Sequence, residues 1–200
     1  MKLVIGLTGT MNSGKGTIAE YIVSKEFEHF ILSEIIKEET SQKHLPLTRE
    51  NLQDIGDILR REHGLGVLAK LALERAKTDR ILIDGIRNPG EIAFLKQVKD
   101  VYFVLIAVDA PLAVRFARAK ERKSAKDIVD YATFVRDDAR DRGINQPENG
   151  QQVQACVDAA NYQIINDGRA FAPIVDRILQ DISRKYEHAC AVAEKQTISS

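Results

Sequence analysis

Short, almost wholly apolar runs alternate with amphipathic segments along the chain. The runs cover residues 3–7, 30–32, 81–83, 101–108 and 162–165. Runs of this kind are typical of strands that are buried on both faces of a parallel sheet. Strands that alternate with helices imply right-handed crossovers, with helices on both sides of the sheet. The pattern therefore predicts a three-layer α/β fold around a five-stranded parallel sheet.

Helix boundaries are marked by capping residues between these runs. Thr48 precedes a segment with apolar residues on one face, and Gly64 closes it. Asn88 followed by Pro89 opens another helix, because proline is harmless at the first helical position. A final helix is predicted from about Pro173, and its polar end is expected to fray. Four of its apolar residues are predicted to face inward: Ile174, Ile178, Leu179 and Ile182.

The composition is that of a folded protein without overall charge. Of the 200 residues, 44% are hydrophobic, and 29 Lys and Arg balance 29 Asp and Glu. Neither nucleic acid nor a membrane is therefore expected as a partner. Cys156 and Cys190 form no CxxC pair, so we expect both thiols to be packed as ordinary side chains. We also expect the protein in a reducing cytoplasm. The run at residues 3–7 is too short for a signal peptide or a membrane span.

The segment between the first predicted strand and helix has the spacing of a phosphate-binding loop (P-loop, Walker A). Small residues let backbone N–H groups converge on an anion, and the helix N-terminus adds its positive end. Lys15 adds a full charge, and a chance glycine-rich turn is the alternative. The segment predicts seven residues that bind nucleotide phosphates: Gly9, Asn12, Ser13, Gly14, Lys15, Gly16 and Thr17.

A carboxylate is predicted at the same edge of the sheet. Asp84 directly follows the run at residues 81–83, and ligands gather at the carboxyl ends of parallel strands. Mg²⁺ prefers carboxylate and water oxygens. We therefore predict Mg²⁺ as a cofactor, held by Asp84 directly or through water and by the hydroxyl of Thr17. The alternative is an aspartate that only caps a turn.

Positive charge is concentrated in residues 115–126, which contain six basic residues and one acidic residue. Arg118 and Arg122 are one helical turn apart and share a face. Phosphoryl transfer is catalysed mostly by positioning and by cations, so arginines on a closing lid suit this chemistry. A solvated basic helix is the alternative.

The next predicted helix carries both signs of charge. Arg136 and Arg140 lie among three acidic residues, Asp137, Asp138 and Asp141. Pairing with these carboxylates at the surface explains the two arginines, so neither is counted among the predicted site residues.

The chain resembles, over about residues 3–169, a group of adenylate-kinase-related P-loop proteins described as dephospho-CoA-kinase-like. It is also similar to the P-loop domain of certain dCMP/dCTP deaminases. The likeness is carried by residues 6–9, 14–15, 51–56, 59–60, 83–91, 109–111, 115–116, 150–153 and 165–168. The resemblance implies a nucleoside monophosphate kinase-like P-loop NTPase fold. The chain length predicts a single domain over residues 1–200, with a helical acceptor-side insertion at about 34–78 and a helical lid at about 110–142.

The resemblance also implies roles for residues outside the P-loop. Arg87 matches an arginine that grips the acceptor phosphate, although residues 84–87 are one residue shorter and lack proline. Arg118 and Arg122 match a pair of arginines, one over the adenine and the other near the phosphates. Further acceptor contacts are expected from Ser33, Glu34, Lys37 and Arg60. A capping serine, a solvated acidic helix and charges that favour a helix end are the alternatives.

The loop after the last predicted strand is a candidate for contact with the donor base. Asn166, Asp167 and Gly168 are expected to run past the base of ATP, with backbone groups at its edge. A tight turn between strand and helix is the alternative, and both descriptions can hold together.

These features predict a P-loop nucleotide kinase that transfers a phosphoryl group from ATP to a (deoxy)nucleoside monophosphate. Lys15, Asp84, Arg118 and Arg122 are the predicted catalytic residues. Dephospho-CoA kinase activity is one alternative, and a non-catalytic (d)NTP-sensing module is another. Deamination is excluded because the chain lacks the His-x-Glu and Pro-Cys-x-x-Cys segments. Small-molecule nucleotides are the expected partners, and homodimer formation is left open.

Overall fold

Five parallel strands form one sheet in the computed structural model, which describes residues 1–122 and 130–198. The strands are β1 (Lys2–Gly9), β2 (Glu28–Ile31), β3 (Arg80–Asp84), β4 (Val101–Asp109) and β5 (Tyr162–Ile165). Their order across the sheet is β2-β3-β1-β4-β5, and every neighbouring pair is parallel. Five predicted runs thus became five strands, and the predicted three-layer α/β fold is confirmed. The carboxyl end of central β1 meets those of β3 and β4 at one edge.

Helices connect the strands throughout the described part of the chain. On one side they are α2 (Leu32–Gln42), α3 (Arg49–His63), α4 (Val67–Arg75), α5 (Pro89–Gln97) and α8 (Val153–Asp158). On the other side are α1 (Lys15–Val23) and α9 (Ala172–Ile198). The region of the predicted lid contains α6 (Leu112–Arg122) and α7 (Tyr131–Arg142). Within the described ranges, none of these helices combines the length and the apolar character needed to cross a membrane.

Two capped helices begin where the sequence predicts. The Thr48 side chain accepts a hydrogen bond from the backbone N–H of Asn51, and α3 ends before Gly64 at φ 92°. The Asn88 side chain accepts from Gly90, while Glu91 bonds back to the cap, so α5 begins with a capping box. Each such cap typically contributes about 1 kcal/mol to stability.

Both faces of the sheet are packed, as the continuous apolar run of β1 requires. Val4 points into the cluster under α2 to α5, whereas Leu3, Ile5 and Leu7 pack against α1 and α9. These four side chains are at most 1% exposed. A Cβ added at Gly6 would lie 2.5 Å from Cδ1 of Ile86 and 2.9 Å from Cε2 of Phe103, so a larger residue there would displace these side chains. The sheet is therefore a rigid base for the loops at its carboxyl edge.

The last helix differs from its prediction in one respect. Ile174 is 44% exposed and Val175 is buried in its place, while Ile178 and Ile182 are buried and Leu179 packs against the same cluster, as predicted. The Tyr186 hydroxyl donates to the carbonyl of Met1, so the middle of α9 contacts the start of the chain. The expected fraying of the polar tail stays a prediction.

The two thiols have different environments, which predicts different reactivity. Cys156 is fully buried, and burial first, then the charge of Glu91, raises the pKa of its thiol well above the usual range. Cys190 is partly exposed on α9. Since the thiolate is the reactive form, we expect iodoacetamide to modify Cys190 and not Cys156 in the folded protein. Mass spectrometry should find both modified after denaturation, and rapid modification of native Cys156 would contradict its burial.

Candidate functional site

The P-loop lies between the end of β1 at Gly9 and the start of α1 at Lys15. Asn12 and Gly14 have left-handed φ angles of 58° and 87°. A Cβ added to Gly9 would lie 2.1 Å from the carbonyl oxygen of Val108, so this position requires glycine. The loop and Arg87 surround a cavity of about 310 Å³. Successive backbone N–H groups at a helix N-terminus make this cavity suitable for an anion.

Two side chains from distant parts of the chain hold the P-loop from outside. The carbonyl of Ser13 accepts hydrogen bonds from Asn166 Nδ2 at 2.8 Å and from Arg118 Nη1 at 2.9 Å. Arg118 also donates to the carbonyl of Asn166 at 3.1 Å. The Ser13 hydroxyl is buried and has no hydrogen-bond partner among the described residues. The predicted residues Arg118 and Asn166 are therefore brought to the P-loop, and Ser13 retains a polar group for a ligand.

Lys15 and Asp84 are in direct contact beside this cavity. The Lys15 ammonium donates to Asp84 Oδ1, and the other carboxylate oxygen is 3.7 Å from Nε2 of His29. Burial lowers the pKa of Lys15 more than Asp84 raises it. Burial alone would raise the pKa of Asp84, but His29 and Lys15 outweigh it, and the pKa falls below its ordinary value. The Asp84 carboxylate is thus ionised at neutral pH, and His29 is a neighbour that the sequence patterns did not identify.

The residues present fit a hard divalent cation next to bound phosphates. Thr17 is exposed in the first turn of α1, and Asp84 is an ionised carboxylate with only 7% of its side chain exposed. Hydroxyl, carboxylate and phosphate oxygens are the ligands that Mg²⁺ takes in such sites.

A second cavity of about 270 Å³ lies between the α2 to α4 helices and the segment after β3. Its lining residues are Leu32, Ser33, Ile36, Leu52, Gln53, Arg60, Leu68, Gly85, Arg87 and Gln151. Arg87 lines both this cavity and the P-loop cavity. A cation therefore stands where the two cavities meet.

The predicted acceptor residues divide into two groups. Ser33, Arg60 and Arg87 line the second cavity, whereas Glu34 and Lys37 form an exposed pair with each other at 2.6 Å. The Arg60 side chain, 2% exposed, donates twice to the fully buried carboxylate of Glu91, at 3.0 and 3.2 Å. Both arginines have a carboxylate partner, but the Arg60 side chain is 2% exposed, whereas that of Arg87 is 33% exposed and lines both cavities.

The acidic residues of α7 correct one sequence interpretation. Asp138 and Asp141 are 6% and 1% exposed, so they do not belong to a surface charge pattern. Asp141 accepts from Arg87 Nη1 at 2.5 Å. Asp138 accepts from both terminal nitrogens of Arg115, which is 2% exposed and also donates to the P-loop carbonyl of Met11 at 3.3 Å. These pairs attach α7 to both cavities, which no local pattern of charges indicates.

The remaining predicted residues lie at the edge of the site or outside the description. Asp167 is bonded to Arg169 at 2.6 Å, and Gly168 follows it with φ 102°, as a tight turn requires. Gly16 has open space around it. The Arg122 side chain and the basic residues Lys123 and Lys126 lie outside the described residues. Their roles stay predictions.

Sequence comparisons place this architecture among known proteins. The AAA_18 family profile, described as an AAA domain, matches residues 5–159. A UPF0200 protein of Methanococcus maripaludis is 30% identical over 173 residues, covering 84% of this chain and 89% of its own length. A UPF0200 protein of Thermococcus gammatolerans is 27% identical, covering 91% and 98%. The chain spans only 54% of a 29% identical UPF0200/UPF0201 protein of Archaeoglobus fulgidus.

Solved structures share the fold at low sequence identity. A shikimate kinase from Acinetobacter baumannii in complex with shikimate has a TM-score of 0.55 and 16% identity, covering 92% of this chain and 95% of that chain. A shikimate kinase from Aquifex aeolicus has a TM-score of 0.52 and 13% identity, covering 92% and 98%. At these identities the likeness shows a P-loop kinase-like fold and does not extend to a substrate.

Proposed function

Since this chain belongs to the AAA_18 family of AAA domains and to the UPF0200 proteins, we propose that it transfers the γ-phosphoryl group of ATP to a (deoxy)nucleoside monophosphate. The P-loop cavity takes the donor, and the cavity under α2 to α4 takes the acceptor. The predicted cytoplasmic location is part of this proposal.

The observation that carries the proposal is the position of Arg87 in the lining of both cavities. A guanidinium at the junction of two anion sites contacts an acceptor phosphate and also lies near the phosphates of the donor. A nucleotide-sensing module needs only the P-loop cavity. A second cavity that opens onto the same cation is what a transfer between two bound molecules requires.

The protein contributes to this reaction mainly by positioning the two substrates and by stabilising negative charge. An acceptor phosphate oxygen attacks the γ-phosphorus, the bond to the bridging oxygen of the β-phosphate breaks, and ADP leaves. Lys15 stabilises charge on the outer phosphate oxygens, while Arg118 fixes the loop and Arg122 is proposed to approach from the lid. Mg²⁺, held by Thr17 and Asp84, would neutralise phosphate charge. A phosphate acceptor is already ionised, so no general base is needed.

Two alternatives predict different experimental results. Dephospho-CoA kinase activity would require a base to activate a ribose hydroxyl, and Ser33 with Glu34 is the nearest candidate. Glu34 is exposed and paired with Lys37, which favours the monophosphate acceptor. A sensor would bind ATP and transfer nothing. Arg122→Ala separates a kinase from a sensor, because it should reduce turnover far more than ATP affinity only in a kinase.

Replacing Arg87 with methionine tests the two-cavity arrangement. We expect the KM of the phosphorylated acceptor to rise about 10- to 100-fold, because a charged hydrogen bond to phosphate is lost. The KM of ATP should change much less, since Lys15 and the P-loop remain. Steady-state kinetics with each substrate varied in turn provides the measurement.

The matched control for this variant is Arg75→Met. Arg75 is half exposed on α4 and pairs with Glu38 at 3.0 Å, away from both cavities. It should leave both KM values unchanged. A rise confined to the KM of ATP would place this arginine in the donor site alone and would contradict its proposed contact with the acceptor phosphate.

A further inference from the structure

Two of the segments that carry the family resemblance, residues 51–56 and 150–153, meet in the wall of the acceptor cavity. Gln53 of α3 donates from Nε2 to Oε1 of Gln151 at 3.2 Å, across 98 positions of sequence. Both residues line the cavity and are 7% and 8% exposed. Nothing in the proposed transfer of a phosphoryl group requires two amides at this position.

One hydrogen bond leaves half of this amide pair unused. Among the residues that the structure describes, Gln53 Oε1 and Gln151 Nε2 have no hydrogen-bond partner. If both amides are turned over, the bond runs in the other direction, and one oxygen and one NH₂ group again remain. The pair therefore keeps one free acceptor and one free donor in either assignment. Both side chains are more than nine-tenths buried, and a ligand in the cavity can pair with these free groups.

The rest of the cavity is arranged around this pair. Leu32, Ile36, Leu52 and Leu68 supply apolar walls, and Arg87 stands at the junction with the P-loop cavity. The backbone N–H of Gln152 donates to the carbonyl of Arg87 at 2.7 Å, so the backbone that carries Gln151 is joined to the backbone of Arg87. A ligand that fits this cavity has a flat apolar ring for the walls, a polar edge for the amide pair and a phosphate for the cation.

We propose that Gln53 and Gln151 hydrogen-bond the edge of a nucleobase and so restrict the acceptor to base-bearing monophosphates. Each nucleobase has a hydrogen-bond donor next to an acceptor on its pairing edge, which complements the free donor and acceptor of the amide pair. A sugar phosphate or a polyhydroxy acid lacks such an edge on a flat ring. The inference rests on the proposed function for the identity of the cavity as the acceptor site.

Binding is measured by calorimetry, so the test does not depend on turnover. The probes are the ribo- and deoxynucleoside 5′-monophosphates, with ribose 5-phosphate and shikimate as ligands that lack a base. We expect at least one nucleotide to bind about tenfold or more tightly than ribose 5-phosphate, as expected from two added hydrogen bonds. If no nucleotide binds more tightly than ribose 5-phosphate, the inference is wrong, although a kinase with another acceptor would survive.

The variants compare the base-dependent part of the affinity. In Gln53→Met/Gln151→Met both amides are removed together, so neither is left without its partner. Gln151→Glu is nearly isosteric and removes the NH₂ donor of this amide, so that only acceptor oxygens remain. We expect the ratio of nucleotide to ribose 5-phosphate affinity to fall toward one in both variants, with ATP affinity unchanged. The control Gln97→Met lies on the exposed end of α5 and should keep the wild-type ratio.

Either variant can decide the matter if the other does not fold. A wild-type ratio in a folded variant would show that the amide pair only fastens α3 to the segment before α8, and would overturn the inference. The proposed phosphoryl transfer is tested separately, by whether labelled phosphate reaches an acceptor. If it does not, while the binding ratio still depends on Gln53 and Gln151, the proposed function fails and the base contact stands.

Discussion

Lys15→Ala is expected to lower the rate of phosphoryl transfer by about a thousandfold, and to weaken ATP binding as well. The Lys15 ammonium is the charge that the P-loop places beside its cavity, and its side chain is only 19% exposed. Removing a charged group that stabilises a transferring phosphoryl group typically lowers the catalytic rate by about 10²- to 10³-fold or more. Rates of ADP formation under saturating acceptor, together with ATP binding by calorimetry, measure both effects.

Lys70→Ala is the matched control for this variant. Lys70 lies on α4 with 58% of its side chain exposed and pairs only loosely with Glu74, at 3.9 Å. It should keep wild-type rates and ATP affinity. If the Lys15→Ala protein is folded and retains the wild-type turnover, the P-loop cavity is not the site of the reaction.

Arg115→Leu is expected to destabilise the folded protein by about 3 kcal/mol. The buried Arg115 guanidinium binds Asp138 through two nitrogens and also contacts the carbonyls of Ala110 and Met11. Removing one partner of a buried ion pair typically costs about 3–5 kcal/mol, because the remaining charge stays buried. The lower end applies because Arg142 still donates to Asp138 at 3.1 Å. Urea denaturation measures the change in the free energy of unfolding.

Two further variants make this result interpretable. Arg115→Leu combined with Asp138→Leu should recover a large part of the lost stability, because no buried carboxylate then lacks its main partner. Arg136→Leu is the control, since Arg136 has 75% of its side chain exposed and should change the free energy of unfolding by less than about 0.5 kcal/mol. If Arg115→Leu is as stable as this control, the pair does not hold α6, α7 and the P-loop together.

The fold could be predicted from the sequence because its signals are local. A strand buried on both faces must be apolar at successive positions, as the runs of the central strands β1, β3 and β4 are. The edge strands β2 and β5 have shorter runs and are partly exposed. Thr48 and Asn88 lie next to the helices they cap, so their roles depend on few distant contacts. The face of α9 was less certain from sequence, because Ile174 and Val175 are adjacent apolar residues, and only packing against the sheet decides which one is buried.

The donor half of the site was predictable for the same reason. The P-loop residues are consecutive, and Asp84 is delivered beside Lys15 by the pairing of β3 with β1. The acceptor half depends on partners that are far apart in the sequence. Arg60 binds Glu91, Arg87 binds Asp141, and Gln53 binds Gln151. A charge or amide gives no local sign of such a partner, so Asp141 was interpreted as a surface residue and the amides received no role.

The most direct test of the proposed function follows the γ-phosphate itself. The purified protein is incubated with Mg²⁺, ATP labelled in the γ-phosphate, and a panel of ribo- and deoxynucleoside monophosphates together with dephospho-CoA, and the labelled products are separated by ion-exchange chromatography. The account predicts that label appears in a nucleoside diphosphate and that ADP forms only when the matching monophosphate is present. Tight ATP binding with no label in any acceptor would contradict it and would indicate a nucleotide-sensing module.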